Sequence, residues 1–267
     1  MNVQTIASGP RAAGRLSARA RDRLLNVISP LGLLLVWELC ARFGSIDTRF
    51  FPAPSSVFST LVEMLRSGEL IAHTAISMQR LAYGTVLGAL PALLLGIAMG
   101  LNRTIRALFD PIIAATFPVP KSAILPLALL VFGLGEGSKI FMVAIGVFFP
   151  MVISTTTGVL EINRIYLDVG KNYKASRWNT FRTIALPGAL PVIMTGFKLG
   201  VGIGLVLIAV AEMVGAKSGL GYLIWSAWST FAVEQMYVGL FVIAIIGFLL
   251  TLGLNELERV IIPWKPE

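Results

Sequence analysis

Long apolar runs, separated by short polar segments, are the feature that most limits how this chain can fold. About six runs of roughly 20 residues each recur along the chain, which is long enough for helices to cross a bilayer. Only 13% of the 267 residues are charged, whereas soluble domains carry about 25%. The pattern predicts an all-α, polytopic membrane helix bundle with about six transmembrane helices. The expected spans are 24–43, 80–101, 112–133, 139–158, 189–212 and 237–257.

The segment 1–23 is strongly basic, with five arginines and one acidic residue. An apolar run follows it, but Ala41-Arg42-Phe43 is not the small-residue site at which a signal peptide is cleaved. We therefore expect 1–23 to be a basic cytoplasmic tail and 24–264 to be the transmembrane domain. Most of the 22 Lys and Arg residues fall on the side of the membrane that this tail would share. The positive-inside rule then predicts a multi-pass protein of a bacterial inner membrane with both termini in the cytoplasm.

Several chemistries have little support in the composition. Cys40 and His73 are the only residues of their types, so clustered metal ligands and nucleophile–histidine pairs are not expected. Residues 215–218 (Gly-Ala-Lys-Ser) lack the spacing of a phosphate-binding loop, so ATP chemistry must reside in another subunit. The net charge of +8 is explained by membrane orientation, without nucleic acid. We expect no enzymatic activity, no catalytic residue, no metal and no cofactor bound by this chain.

Glycines recur at four-residue spacing within the predicted spans. Because glycine has no side chain, such rows let two helices approach closely and gain dispersion contacts in lipid. Any single pair is also expected from the high glycine content of membrane helices, so the triple is the stronger signal. The rows are Gly84/Gly88, Gly96/Gly100 and Gly196/Gly200/Gly204.

The segment 159–188, which we call the elbow, is too polar to span a membrane and too long for an ordinary turn. Its first half has apolar residues on one face of a helix, and Ser176 can cap a second short helix that ends at Pro187. The apolar face could pack on the protein's own helix ends, lie on lipid or dock into a partner's groove. The apolar residues of the first helix are Ile162, Ile165, Tyr166, Val169 and Tyr173. Those of the second are Trp178, Phe181 and Ile184.

The elbow resembles the signature loop of binding-protein-dependent ABC importer permeases, Glu-Ala-Ala-x3-Gly-x9-Ile-x-Leu-Pro. Asp168 stands at the Glu of this pattern, and Lys174 stands where the pattern has Gly. The resemblance implies that the segment forms coupling helices that sit in a groove of the ATPase subunit. The residues expected to couple to the ATPase are Asp168, Val169, Gly170, Lys174, Ala175, Ser176, Arg177, Trp178, Phe181, Ile184, Leu186 and Pro187.

The similarity extends from about Phe51 to Trp264 and points to the nitrate/sulfonate/taurine branch of these importers. It implies a type I ABC importer permease-like fold and a second permease copy, expected as a homodimer in the lipid bilayer. A periplasmic substrate-binding protein would deliver the solute, and a separate ATPase would hold ATP and Mg. The branch also includes importers of thiamine precursors. The expected solute is therefore a nitrate-, sulfonate- or taurine-like anion or a related small molecule.

Charged residues within or near the spans are candidates for the substrate path, because a charge in lipid costs at least about 2.5 kcal/mol. Lys121 follows a Pro-Val-Pro sequence in a broken segment and is the best candidate for attracting an anion. An inert re-entrant turn is the alternative for that site. For the others, the alternative is a structural pair or a side chain that reaches the interface. The candidates are Arg80, Lys121, Lys198 and Glu212.

A self-sufficient secondary transporter is the main alternative from a different class. Such proteins often contain two similar halves and paired ionisable groups in the middle of the membrane. The sequence has no convincing internal repeat, and the amphipathic elbow has no obvious use in such a carrier. A membrane-embedded enzyme is a more distant alternative, since the spans lack clustered His, Cys or paired carboxylates.

Overall fold

The computed structural model describes residues 28–162 and 164–264. The predicted basic tail, 1–23, lies outside these residues. The described residues form helices joined by turns, with no β-strand among them. A boundary between two compact units lies between Thr60 and Leu61, and each unit is described by itself.

The first unit contains helix α1, residues 28–42, which coincides with the first predicted span. The helix α2, Pro54–Arg66, begins in this unit. Glu38 connects the two elements, because its carboxylate accepts from the Ser55 N–H at 3.0 Å and the Ser55 Oγ at 2.8 Å. It also pairs with Arg42 at 2.5 Å. Glu38 therefore satisfies donors at the N-terminus of α2, which a helix start requires.

The second unit is a bundle of long and short helices. Its long helices are α3 (Glu69–Leu101), α6 (Glu136–Leu160), α9 (Leu186–Met213) and α11 (Val233–Ile261). Its shorter helices are α4 (Arg103–Thr116), α5 (Leu125–Phe132), α7 (Arg164–Asn172), α8 (Arg177–Thr180) and α10 (Leu220–Ser229). A 3-10 turn, Lys121–Ile124, precedes α5, and a π-helical segment, Phe181–Ala185, joins α8 to α9.

Four helical segments are long and apolar enough to cross a membrane, namely α3, Phe181–Met213, α6 and α11. The helix α4 and the segment Lys121–Phe132, which includes α5, make a fifth crossing if the bent pair is counted as one broken span. With α1, these segments correspond to the six predicted spans, and the all-α membrane bundle is confirmed.

The predicted break is present, and one bound of the predicted spans is wrong. The segment 112–133 is broken as expected, because α4 and the segment Lys121–Phe132 meet at 90°. Pro118 and Pro120 lie in the break and have no N–H to continue a helix. The helix predicted to begin at residue 80 begins at Glu69, since polar residues in its first turns find partners inside the protein.

Helix α6 lies between α3 and α9, and glycines on its two neighbours make this packing close. A Cβ added to Gly88 of α3 would lie 2.3 Å from the Ala144 carbonyl oxygen. One added to Gly196 of α9 would lie 2.4 Å from the Ser154 Cβ. Neither contact is possible for a larger residue without moving a helix. The tight packing predicted from the glycine rows is therefore confirmed, and α6 is the centre of the bundle.

Candidate functional site

The first helix of the elbow ends in a left-handed turn at Lys174, where φ is 51°. The Ala175 N–H donates to the Gly170 carbonyl at 2.9 Å, and the Tyr173 N–H donates to Val169 at 3.0 Å. These bonds satisfy carbonyls at the end of α7, as helix C-caps do. A left-handed residue is most favourable as glycine, which explains the glycine of the importer pattern at this position. Here the same turn is made with lysine.

The second helix of the elbow begins at Ser176, as predicted. The Ser176 Oγ accepts from the Asn179 N–H at 3.2 Å and so caps α8. The prediction that this helix ends at Pro187 is wrong, because helical backbone continues from α8 through Phe181–Ala185 into α9. Pro187 falls in the first turn of α9, where the missing N–H of a proline is tolerated. The elbow is therefore continuous with a membrane span.

Two motif residues hold the elbow's helices together. A Cβ on Gly170 would lie 3.1 Å from Ile184 Cδ1 and 3.4 Å from Thr180 Oγ1. Gly170 is buried, and Ile184 is half-buried beside it. Leu186 and Pro187 are also half-buried. These positions form the inside of the elbow, so their role is to fix the angle between α7 and the start of α9.

Three apolar residues in or next to α7 are exposed, and the side chain of Tyr166 lies outside the described residues. Ile162 packs against the bundle core, but Ile165 is 66% exposed, Val169 is 45% exposed and Tyr173 is 85% exposed. We call these last three residues the apolar face. Of the other predicted coupling residues, Asp168, Ala175 and Ser176 are exposed and Phe181 is half-buried. The side chains of Arg177 and Trp178 lie outside the described part of the chain.

Four charged residues meet at the opposite end of α6, about 36 Å from the elbow. Arg80 is at the centre and is buried. Its Nε and Nη2 both donate to the Glu136 carboxylate at 2.6 Å. Its Nη1 donates to Glu212 at 2.8 Å. Lys139 is the fourth member; its buried ammonium donates to the Leu134 carbonyl. With two positive and two negative groups, this charged cluster is neutral, which lowers the cost of its burial.

The Glu212 carboxylate is enclosed by donors on all sides. It accepts from the Ser77 hydroxyl at 2.9 and 2.8 Å and from the Gly221 N–H at 3.0 Å. The loop after α9 can close over it only because of its glycines. A Cβ on Gly219, whose φ is +115°, would lie 2.3 Å from a carboxylate oxygen. Glu212 is therefore a structural anchor for the start of α10.

Further bonds fasten the same loop to α3. Arg80 Nη1 donates to the Ser218 carbonyl at 2.7 Å, and the Leu220 N–H donates to Ser77 Oγ at 2.8 Å. The Gly219 N–H donates to His73 Nδ1 at 3.0 Å. His73, for which we expected no ligand role, thus satisfies a backbone donor.

Sequence reasoning found Arg80 and Glu212 but missed Glu136 and Lys139 as their partners. The order of the spans contained the information needed to predict these partners. The start of α3, the start of α6 and the end of α9 fall at the same end of the bundle. Glu136, at the start of α6, is therefore expected near Arg80. Lys139 sits only three residues from Glu136, at the start of the predicted span 139–158.

Lys121 is fully engaged at the break between α4 and α5. Its ammonium donates to the carbonyls of Thr116, Phe117 and Val119 at 2.9, 2.9 and 3.0 Å. It also lies 4.0 Å from the centre of the Phe149 ring, a cation–π contact. All three ammonium donors are used to cap the end of α4. These contacts favour the structural alternative for Lys121.

Lys198 joins two spans. Its ammonium donates to Asn255 Oδ1 at 2.6 Å and pairs with the Glu258 carboxylate, so α9 is tied to α11. Each of the four residues predicted for the substrate path thus has a partner in the chain. Structural pairing is favoured for all four, and a role in the path stays a prediction. In the described residues, no group of three or more His, Cys, Asp or Glu side chains is placed to hold a metal ion.

Comparison with known proteins identifies the type of subunit. Residues 92–264 match the family described as the binding-protein-dependent transport system inner membrane component. The chain is 37% identical to the taurine transport system permease protein TauC of Escherichia coli (strain K12), with 93% of this chain and 92% of that protein covered. It is 36% identical to the putative aliphatic sulfonates transport permease protein SsuC of the same strain, over 89% of this chain and 90% of that protein.

Solved structures share the fold. An amino acid ABC transporter crystallised with histidines gives a TM-score of 0.60 at 16% identity, covering 76% of this chain and 97% of that one. The MetNI methionine ABC transporter in an inward-facing conformation gives 0.54 at 20% identity, covering 70% and 91%. Both have the type I importer architecture predicted from the elbow motif. The chain belongs to the binding-protein-dependent transport system inner membrane component family and is a multi-pass permease subunit of an ABC importer.

Proposed function

We propose that this permease moves a small sulfonate-type anion, such as taurine, into the cell. The names of the relatives TauC and SsuC support this solute class. Nitrate and a thiamine precursor are the alternatives that the wider branch leaves open. In cells that express the permease with its partner subunits, competition among taurine, nitrate and a thiamine precursor tests the class. Taurine uptake that excess nitrate or thiamine precursor fails to reduce would support a sulfonate importer.

In this proposal a periplasmic binding protein delivers the anion, and two permease copies, expected as a homodimer, form the path. ATP and Mg bind to a separate ATPase, so this chain carries out no chemistry. Both termini lie in the cytoplasm, which puts the elbow inside the cell and the charged cluster on the outer side. Transport proceeds by alternating access, a shift between discrete packings of the spans.

The coupling role is supported by the apolar face, which is exposed and is attached firmly to a membrane span. Ile165 and Tyr173 are largely exposed, which is costly outside the membrane unless a partner covers them. The contact between Gly170 and Ile184 fixes α7 on the segment that continues into α9. A force on the apolar face would therefore move α9 without being absorbed by a flexible loop.

Ile165→Asp tests this role. The substitution puts a charge on the apolar face near the start of α7, where the helix dipole tolerates an acid. Helix formation should persist while docking is lost. We expect normal membrane insertion, but little co-purified ATPase and little taurine uptake.

Asn179→Asp is the matched control, because it adds the same charge to an exposed residue of α8 and leaves the apolar face intact. It should retain the ATPase. Normal ATPase recovery and uptake with Ile165→Asp would refute docking through the apolar face.

A further inference from the structure

The two carboxylates that bind Arg80 differ greatly in their surroundings. The Glu212 side chain is 0% exposed, whereas that of Glu136 is 63% exposed. Glu212 also accepts from Ser77 and from Gly221. Separation of Arg80 from Glu212 would leave a charge without water, which is strongly unfavourable. Separation from Glu136 would leave a carboxylate that solvent already reaches, while the buried Arg80 guanidinium would keep Glu212 and the Ser218 carbonyl as partners. The bond to Glu136 is therefore the weaker half of the cluster.

An open pocket of about 240 Å³ lies next to the Arg80–Glu136 pair. Gln79, Tyr83 and Ser218 line it together with the pair itself. Water that enters this space can bind the guanidinium after Glu136 leaves, because the lining offers further polar groups. Breaking the bonds between Arg80 and Glu136 therefore costs little free energy, whereas breaking the bond between Arg80 and Glu212 costs much more.

The turn between α5 and α6 contains two glycines and packs against the loop between α9 and α10. Gly133, with φ of +69°, and Gly135 flank Leu134. The Leu134 side chain covers Gly215, where an added Cβ would lie 3.7 Å from the Leu134 Cβ. Two contacts hold this turn and the start of α6. The Arg80–Glu136 pair joins the start of α6 to α3, and the Leu134–Gly215 contact joins the turn to the loop between α9 and α10.

We propose that the Arg80–Glu136 pair is a releasable clasp that opens during each transport cycle. The Arg80–Glu212–Ser77 part stays closed and keeps α3, α9 and α10 together. Opening would free the start of α6 and the turn before it, so that the outer side can widen. Glu136 is then a positioning residue for transport. The inference rests on alternating access in the proposed function, but it does not depend on the identity of the solute.

A disulfide tests the clasp directly. Leu134→Cys with Gly215→Cys, in a Cys40→Ser background, brings two Cβ atoms within the range of about 3.5–4.5 Å that disulfides require. In the complete transporter with its ATPase and binding protein, oxidation should cross-link the pair and stop taurine uptake. A reductant should restore uptake. Each single cysteine variant is a control, especially Gly215→Cys, because Gly215 has a positive φ of +69°.

Persistent uptake by the fully cross-linked transporter would show that the clasp need not open. Failure of the cysteines to cross-link in a correctly assembled transporter would show that the turn is not closed as described. Either result overturns the proposal.

A second readout does not require the solute. In the reconstituted complex, the cross-linking rate of the same cysteine pair should be high without nucleotide. It should fall by about tenfold with a non-hydrolysable ATP analogue, as a shift between two states predicts. An unchanged rate would contradict the clasp. If taurine is not transported but the rate still responds to nucleotide, the proposed solute is wrong and the clasp is supported.

Glu136→Gln and Glu212→Gln separate the two halves of the cluster. Glu136→Gln should leave the amount of folded protein unchanged and lower the nucleotide-free cross-linking rate, because the clasp is closed for less of the time. Glu212→Gln should lower the amount of folded protein, as loss of a buried partner does. A normal cross-linking rate with Glu136→Gln would remove the case for a clasp at this pair.

Discussion

Gly170 and Ile184 are in direct contact within the elbow: a Cβ on Gly170 would lie 3.1 Å from Ile184 Cδ1. They are separated along the chain by the Lys174 turn and the Ser176 cap. Both residues occupy positions of the importer pattern, and neither belongs to the apolar face. The pattern therefore describes two kinds of residue, those that shape the elbow and those that a partner can contact.

Gly170→Val should disturb the elbow and leave the bundle intact. The added methyl groups must displace Ile184 or Thr180, and overpacking of this kind costs about 1–3 kcal/mol. We expect the protein to insert normally and to bind less ATPase in co-purification. Gly188→Val is the control, since a Cβ there would meet its nearest atom only at 3.8 Å. Equal ATPase recovery from the two variants would contradict the assigned contact.

Lys174→Gly should stabilise the elbow. A non-glycine residue in the left-handed region costs about 1–2 kcal/mol, and Lys174 is in this region with φ of 51°. We expect slower cleavage of the turn by chymotrypsin, a protease that does not cut at lysine. Lys174→Ala removes the same charge but retains the strain, so its cleavage rate should stay near that of the unchanged protein. Faster cleavage of Lys174→Gly would show that the lysine side chain itself holds the turn.

Arg80→Met should be strongly destabilising, because it leaves Glu212 as an uncompensated buried charge. Losses of this kind amount to about 3–5 kcal/mol. Arg80→Lys should also be unstable, since an ammonium cannot provide the fork that serves two carboxylates. The thermal stability of the purified protein in detergent measures both effects. Lys217→Met removes an exposed charge near the same end of the bundle and should change the stability little.

Lys121→Met should act on folding and leave solute recognition unchanged. Removal of the ammonium deprives the carbonyls of Thr116, Phe117 and Val119 of their shared donor and leaves the end of α4 without its cap. We expect less folded protein, while the KM for taurine uptake stays the same. A raised KM with a normal amount of protein would instead support the prediction that Lys121 attracts the anion.

The long-range packing of this protein was largely readable in its sequence. Gly88 and Gly196 predicted close helix contacts, and both glycines lie against α6. Ser176 predicted a helix cap and makes one. These features depend on residues near each other in the chain or on the absence of a side chain. Simple periodicity was therefore sufficient to find them.

The remaining features depend on contacts that periodicity does not encode. Arg80 is paired with Glu136, so its charge does not mark the start of α3, which begins at Glu69 and not at residue 80. The 90° angle of the break before Lys121 is not encoded in the periodicity either, because it depends on the carbonyls that the Lys121 ammonium caps. Helical backbone continues past Pro187 because a π-helical segment precedes it. A charged residue interrupts a helix only when it has no partner inside the protein, and a proline interrupts one only when the local backbone cannot adapt to its missing N–H.

Photo-crosslinking from Tyr173 tests the central claim most directly. A photoreactive phenylalanine analogue at this position, whose side chain is 85% exposed, would be activated in intact cells that contain the whole transporter. If the ATPase docks on the apolar face, we expect a covalent adduct between the permease and its ATPase subunit. Adducts only with lipid or within the permease itself would contradict docking of the ATPase on the apolar face.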